Sequence, residues 1–257
     1  MSAPPTGPGR LVLLHGFTGS AAGWGTRALG ALRSSGVEPR ALDLPGHGSR
    51  AGEADPSLFT LERVVEGIAA ELAVEGRTAL LGYSMGGRLA LHVALRHPER
   101  VRALVLESAS PGLATAEERA ERRAGDEALA ERIERDGVDD FVDFWESLPL
   151  FASHATLPPE ERDALRRVRR DNDGTSLAAA LRGLGTGSLP SLWERLPEVR
   201  VPVLVLTGEL DRKFAEIGER MAAALPRAER VVVPGAGHGV HRDRPEAWAR
   251  AVAGFLA

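Results

Sequence analysis

Six short segments that are apolar on both faces constrain the fold of this sequence more than any other feature. They are LVLLHG (11–16), RALDLPG (40–46), TALLGYS (78–84), VRALVLES (101–108), VPVLVLTGELD (201–211) and RVVVPGAGH (230–238). Runs rich in valine and leucine without polar alternation are typical of parallel strands that are buried on both faces. A segment with helical spacing of its apolar residues, 59–76, separates two of them. The alternation predicts an α/β fold with a mostly parallel sheet of about six strands.

This alternation stops after Ser108, and the next strand pattern begins only near Val201. A loop of that length without structure is implausible inside a compact domain. The interval contains four helical patterns, at 115–135, 138–148, 159–170 and 175–183. We therefore expect a core formed by residues 1–108 and 199–257, with residues 109–198 inserted as a helical cap.

Composition limits the possible functions. A chain of 257 residues that is 43% hydrophobic has material for one sizeable domain, and a net charge of -4 gives no general attraction to nucleic acid. The absence of cysteine excludes disulfides, thiolate metal ligands and a cysteine nucleophile. The opening MSAPPTGPGR has no apolar signal region, and no run reaches the length of a membrane helix. We expect a cytoplasmic monomer that binds neither nucleic acid nor membrane.

The segment Gly82-Tyr83-Ser84-Met85-Gly86 matches the nucleophile elbow, a sharp turn between a strand and a helix that exposes a serine hydroxyl. Small residues on both flanks relieve crowding in such a turn. Serine is a weak nucleophile unless a base takes its proton, so this interpretation needs a histidine and an orienting carboxylate later in the chain.

Both partners are present in the required order. Asp211 ends one predicted strand and His238 follows the next, so both lie where an open α/β sheet gathers its site. The alternatives are that Asp211 only caps a helix and that His238 only packs in the core. Glu107 also ends a strand and could supply the acid, whereas His241 with His238 lacks the third ligand that a catalytic zinc needs.

The first strand ends in His15-Gly16-Phe17-Thr18-Gly19. Its glycines would let the chain turn close to the serine, so that the backbone N–H groups of Phe17 and Met85 form an oxyanion hole. A plain strand-to-helix turn would require the same glycines. The remaining histidines are interpreted as structural or surface residues; they are His15, His47, His92, His97 and His154.

These motifs resemble the α/β-hydrolase superfamily through HGF, DLPGHG, GYSMGG, GELD and GAGH. The chain is similar, more narrowly, to the 2-succinyl-6-hydroxy-2,4-cyclohexadiene-1-carboxylate synthase family of menaquinone biosynthesis. That similarity rests on GYSMGGR, GELDRKF, GAGHGVHRDRP and three cap segments, GLATAEERAERRAGDEALA (112–130), FWESLPLFAS (144–153) and RRDNDGTSLAAALRGLGTGSLPSLW (169–193). Cap segments normally diverge between activities, so their agreement makes the resemblance specific.

The resemblance implies a lyase without cofactor or metal. It would eliminate pyruvate from 2-succinyl-5-enolpyruvyl-6-hydroxy-3-cyclohexene-1-carboxylate, with the triad Ser84, Asp211 and His238 acting as the base. The substrate is a small anion with several carboxylates. The family's substrate-binding residues match five positions here, namely Arg88, Arg122, Arg169, Tyr83 and Trp145.

Two points stay open in the sequence. A serine hydrolase of esters or carbon–carbon bonds would keep the same triad, and fold analogy alone cannot separate it from the lyase. The superfamily usually begins with two further strands, and the ten residues before Leu11 are too few to form both. We therefore expect those strands to be missing or vestigial.

Overall fold

The computed structural model of the chain describes residues 9–257, so most of the Pro/Gly-rich start lies outside it. Within this range, six strands form one parallel sheet in the order β2-β1-β3-β4-β5-β6. The strands are β1 (Gly9–Leu14), β2 (Val37–Leu42), β3 (Thr78–Tyr83), β4 (Val101–Glu107), β5 (Val203–Gly208) and β6 (Ala228–Val233). The predicted α/β-hydrolase fold with a parallel sheet of about six strands is confirmed.

Helices cover both faces of this sheet. They are α1 (Thr26–Ser34), α2 (Leu61–Glu75), α3 (Met85–Arg96), α4 (Ala116–Glu146), α5 (Pro159–Arg170), α6 (Gly174–Leu184), α7 (Arg212–Ala224), α8 (Val240–Asp243) and α9 (Pro245–Leu256). Short 3-10 helices occupy Ala22–Trp24, Gly48–Arg50, Pro56–Phe59, Pro149–Thr156 and Trp193–Glu198. Buried residues of α1 and α9 pack on one face of the sheet, and those of α2, α3 and α7 pack on the other.

The strand sequences are apolar throughout because of this double coverage. In β1, Val12 and Leu14 join the cluster of α2, α3 and α7, whereas Leu11 and Leu13 join the cluster of α1 and α9. Successive side chains of a strand point to opposite faces, so a sheet covered on both sides needs an apolar residue at every position.

The segment between β4 and β5 is helical, as its pattern predicts. Helix α4 begins with a capping box in which the side chains of Thr115 and Glu118 each bond the other residue's backbone N–H. Both of the first two predicted helices are present within it, and they are separated at Gly137, whose φ of 86° is not helical. Apolar residues of α4 and α6, Phe141 and Leu177 among them, pack into a cluster of their own.

The later part of this segment also contributes to the main core, through Leu184, Leu189, Leu192 and Leu196. The division into a core and a cap at residues 108 and 199 stays a prediction. Among residues 9–257, no helix combines the length and the apolar character that crossing a membrane requires.

Buried histidines should make the fold sensitive to mild acid. Burial is the main cause that lowers the pKa of His15 to about 4, of His47 to about 3 and of His92 to about 4, from an ordinary value of 6.5. In His15 the neutral ring is needed, because Nε2 accepts a bond from the Leu44 N–H at 3.1 Å while Nδ1 lies 2.8 Å from the Gly16 carbonyl oxygen. A histidine whose folded pKa is lowered contributes stability above pH 6.5 that is lost as the pH falls toward the folded value.

We expect the free energy of unfolding, measured in urea, to be lower at pH 5 than at pH 7. Each such histidine should contribute roughly 2 kcal/mol to this loss. In the variant His92→Gln, the free energy of unfolding should fall less between pH 7 and pH 5 than in the unaltered chain, because one of the titrating groups is gone. Equal stability of the unaltered chain at pH 7 and pH 5 would contradict this expectation.

Candidate active site

The candidate nucleophile Ser84 lies in a strained turn between β3 and α3. Its φ of 52° and ψ of -110° are rare for a residue with a side chain. The turn is possible because Gly82 and Gly86 lie against backbone: a methyl group at Gly82 would lie 2.3 Å from the Gly86 carbonyl oxygen, and one at Gly86 would lie 2.3 Å from that of Leu14. Glycine at these two positions lets the chain present the serine hydroxyl at the end of the sheet.

Replacing Gly82 by alanine should therefore displace the turn. We expect a loss of about 1–3 kcal/mol in the free energy of unfolding together with reduced turnover, because the added methyl group overlaps backbone atoms. Gly67→Ala is the matched control: this exposed glycine lies within α2 with no neighbouring atom within 4 Å of the added carbon. The control should be stabilised slightly, because alanine favours a helix more than glycine does. A Gly82→Ala protein as stable and active as the control would show that the turn is not tightly packed.

The three residues predicted as a triad form a hydrogen-bonded chain. His238 Nε2 lies 3.0 Å from Ser84 Oγ, and His238 Nδ1 lies 2.6 Å from Asp211 Oδ2. His238 and Asp211 are buried, with 2% and 9% of their surface exposed. Asp211 Oδ1 also accepts the Phe214 N–H at the start of α7, so the helix-cap alternative holds alongside the histidine contact. With Nδ1–H donated to the carboxylate, Nε2 is free to accept the serine proton.

The rival acid, Glu107, has a different partner. Its Oε1 lies 2.7 Å from His241 Nδ1 and accepts the His241 backbone N–H at 3.0 Å. Both side chains are almost fully buried. This pair anchors the chain three residues beyond His238 to the end of β4, so Glu107 and His241 are engaged with each other rather than with His238.

The predicted oxyanion-hole residues lie beside the serine. Phe17 follows β1 and Met85 opens α3, and both line the same cavity as Ser84. The turn at Phe17 is strained at the next residue, Thr18, whose φ is 63°. The side chain of Asn172 holds it there by donating a hydrogen bond to the Thr18 carbonyl at 3.0 Å. The sequence reasoning missed Asn172, because a lone asparagine after a helix carries no recognisable signal.

A cavity of ≈ 670 Å³ opens on one side of the serine. Arg88 and Arg122 both line it, together with Trp145. Burial lowers the pKa of Arg88 to about 10, with the neighbouring Arg122 charge as a second cause. Its Nε is buried without a hydrogen-bond partner among the described residues. Arg122 differs, because its Nε contacts Asp126 Oδ1 at 2.7 Å and its side chain is 43% exposed.

A smaller cavity of ≈ 50 Å³ lies on the other side and is lined by Tyr83 and Arg169. The two cavities share a wall formed by Phe17, Ser84, Trp145, Leu150 and His238. Arg169 is buried, donates to Glu146 Oε1 at 3.0 Å and stacks over the Phe151 ring. The three arginines predicted from the resemblance are thus divided between two cavities that both include Ser84, rather than lining one cavity together.

In the part of the chain that the structure describes, no group of three or more histidine or acidic side chains is arranged to hold a metal ion. The sequence reasoning also missed two residues of the smaller cavity. Arg242 follows the His238 loop, and His154, which it interpreted as structural or surface, lines this cavity beside Arg169.

Fold and site together define the class of this protein: it has an α/β-hydrolase fold with a Ser–His–Asp arrangement at the strand ends. The model of the alpha/beta hydrolase family matches residues 11–251. A Bacillus subtilis (strain 168) protein provisionally named 2-succinyl-6-hydroxy-2,4-cyclohexadiene-1-carboxylate synthase is 42% identical over 98% of this chain and 92% of its own length. A Serratia proteamaculans (strain 568) protein with that name is 35% identical over 96% and 92% of the two chains.

A solved structure described as MenH from S. aureus superposes with a TM-score of 0.90 at 33% identity. It covers 100% of this chain and 96% of the other. The chain belongs to the 2-succinyl-6-hydroxy-2,4-cyclohexadiene-1-carboxylate synthase family.

Proposed function

We propose that this chain is a carbon–oxygen lyase of menaquinone biosynthesis that converts 2-succinyl-5-enolpyruvyl-6-hydroxy-3-cyclohexene-1-carboxylate into 2-succinyl-6-hydroxy-2,4-cyclohexadiene-1-carboxylate and pyruvate. The observation that carries the proposal is the Ser84–His238–Asp211 chain opening into a cavity that is also lined by the half-buried cation of Arg88. Named relatives over nearly the whole chain support it.

The substrate and product define the bonds that change. The ring double bond at carbon 3 becomes two double bonds, at carbons 2 and 4. A proton must therefore leave carbon 2, which is adjacent to the succinyl carbonyl group, and the carbon–oxygen bond at carbon 5 must break. The electron pair of the carbon–hydrogen bond moves through the ring and expels enolpyruvate, which takes up a proton to become pyruvate.

This chain's residues would serve each part of that elimination. The Ser84 hydroxyl, with its proton taken by His238, removes the proton from carbon 2 as general base, and Asp211 stabilises the imidazolium. The backbone N–H groups of Phe17 and Met85 stabilise the negative charge that develops on the succinyl oxygen. Arg88, Arg122 and Arg169 bind the carboxylates, for which the planar guanidinium offers two parallel hydrogen bonds. Tyr83 and Trp145 complete the walls.

A serine hydrolase is the competing function, because it would use the same triad with Ser84 attacking a carbonyl carbon. It would gain little from a half-buried cation four residues after the serine, since a simple ester or amide carries no charge. The lyase needs fixed cations for a substrate with three carboxylates, so the position of Arg88 favours it.

The direct test supplies the enolpyruvyl substrate and measures pyruvate with a coupled assay, in parallel with a burst assay on short-chain nitrophenyl esters. We expect pyruvate release far above the non-enzymatic rate and no burst of acyl-enzyme. Brisk ester turnover with a burst, and no pyruvate above background, would replace the lyase with a hydrolase. The cytoplasmic location and the monomeric state stay predictions.

A further inference from the structure

The smaller cavity holds a second, half-buried cation beside Arg169. Arg242, in α8, lines this cavity, and its Nη2 donates to the Gly23 carbonyl oxygen. That contact uses one of the five N–H donors of the guanidinium. Among residues 9–257, no carboxylate lies within salt-bridge distance of Arg242. The nearest acids have other partners: Glu107 bonds His241, and Asp243 Oδ2 accepts the Gly237 N–H at 2.7 Å.

His154 also lines the smaller cavity. It is 8% exposed, and neither ring nitrogen meets a hydrogen-bond partner among the described residues. A methyl group at Gly239 would lie 3.5 Å from His154 Nε2, 3.6 Å from Arg242 Cδ and 3.7 Å from the Tyr83 hydroxyl oxygen. Three polar side chains from distant parts of the sequence therefore converge next to the candidate catalytic histidine.

We propose that Arg242 and His154 join Arg169 and Tyr83 in a carboxylate subsite that holds one carboxylate of the substrate in the smaller cavity, separate from the cavity that Arg88 lines. This inference rests on the proposed function, which supplies a substrate with three carboxylates. Arg169 was expected to bind substrate; the roles of Arg242 and His154 are new. The cavity, at ≈ 50 Å³, is too small for the ring, so it takes a carboxylate carried on a short arm.

The charges around His154 fit this assignment. Burial, followed by the charges of Arg169 and Arg242, lowers the pKa of His154 to about 2. The ring is therefore neutral and offers one N–H donor at ordinary pH. A carboxylate bound here would accept hydrogen bonds from the histidine and from free N–H groups of Arg242, and it would offset the cationic charge that now surrounds the histidine.

The test measures binding of the intact enolpyruvyl substrate by titration calorimetry in a Ser84→Ala background, where turnover is suppressed. Adding Arg242→Gln should weaken binding by about thirtyfold or more, because a buried charge pair is lost. Arg242→Lys should recover part of the affinity, because it keeps the charge but not the paired donors. Arg250→Gln, at an exposed arginine of α9, is the matched control and should bind unchanged.

A second variant keeps the proposal testable if Arg242→Gln does not fold. His154→Phe removes two buried nitrogens that lack partners, so we expect a higher free energy of unfolding together with weaker substrate binding. Replacing a residue with a purely structural role would not raise the free energy of unfolding and weaken substrate binding at the same time.

The outcomes separate the two proposals. If the unaltered chain releases pyruvate but Arg242→Gln and His154→Phe bind substrate as tightly as their parent, the subsite is wrong and the lyase stands. If the unaltered chain releases no pyruvate and the Ser84→Ala protein binds no substrate, both proposals fall.

Discussion

Replacing Ser84 by alanine should lower kcat/KM for pyruvate release by at least three powers of ten, while the protein folds as before. A methyl group cannot give its proton to His238 or take one from the substrate, so the base would be lost. The residual rate should come from charge stabilisation and positioning alone. Steady-state kinetics with the coupled pyruvate assay, alongside circular dichroism and a urea unfolding curve, measure both parts of this expectation.

The control for this variant is Ser57→Ala, at an exposed serine in the 3-10 helix Pro56–Phe59. Ser57 lines neither of the two cavities at Ser84. It should retain the activity of the unaltered chain. Near-normal turnover in a folded Ser84→Ala protein would remove Ser84 from the chemistry and with it the triad assignment.

Replacing Arg88 by glutamine should cost about 2–5 kcal/mol of transition-state binding, roughly 30-fold to several thousandfold in kcat/KM. The physical reason is burial: the guanidinium lies in a cavity where burial lowers its pKa, so a substrate carboxylate would find a poorly solvated cation there. Arg122→Gln should cost less, because Arg122 is half-exposed and already bound to Asp126.

Arg135→Gln is the matched control for both arginine variants, since Arg135 is exposed and pairs only with the neighbouring Asp136 among the described residues. It should leave kcat/KM unchanged. If Arg88→Gln behaves like Arg135→Gln, the cation in the larger cavity does not bind substrate, and the case for a polyanionic substrate weakens.

Much of the fold could be predicted because the strands are buried on both faces. A run such as LVLLHG must be apolar at every position when helices cover both sides of the sheet, and each of the six predicted strands is present. The helical insertion was also predictable from its periodicity. The separation of its first two helices at Gly137 was predictable as well, because a glycine with flanking charges is typical of a break between helices.

The sequence placed the candidate triad because each member lies shortly after the end of a strand, and parallel strands end at one edge of a sheet. The distribution of the arginines about Ser84 could not be predicted. It depends on how α4, α5 and α8 approach the site, and no short motif encodes those directions. Arg242 and His154 were missed for the same reason. They lie far apart in the sequence, and neither belongs to a spaced pattern.

In the proposed reaction, Ser84 and His238 remove a proton instead of attacking carbon. The most direct measurement is the kinetic isotope effect on kcat/KM for pyruvate release, with substrate that carries deuterium at ring carbon 2. We expect a primary effect of roughly twofold or more, because that carbon–hydrogen bond breaks in the step that the base catalyses. An effect of unity, together with a covalent adduct on Ser84 in the mass spectrum of the protein during turnover, would contradict it.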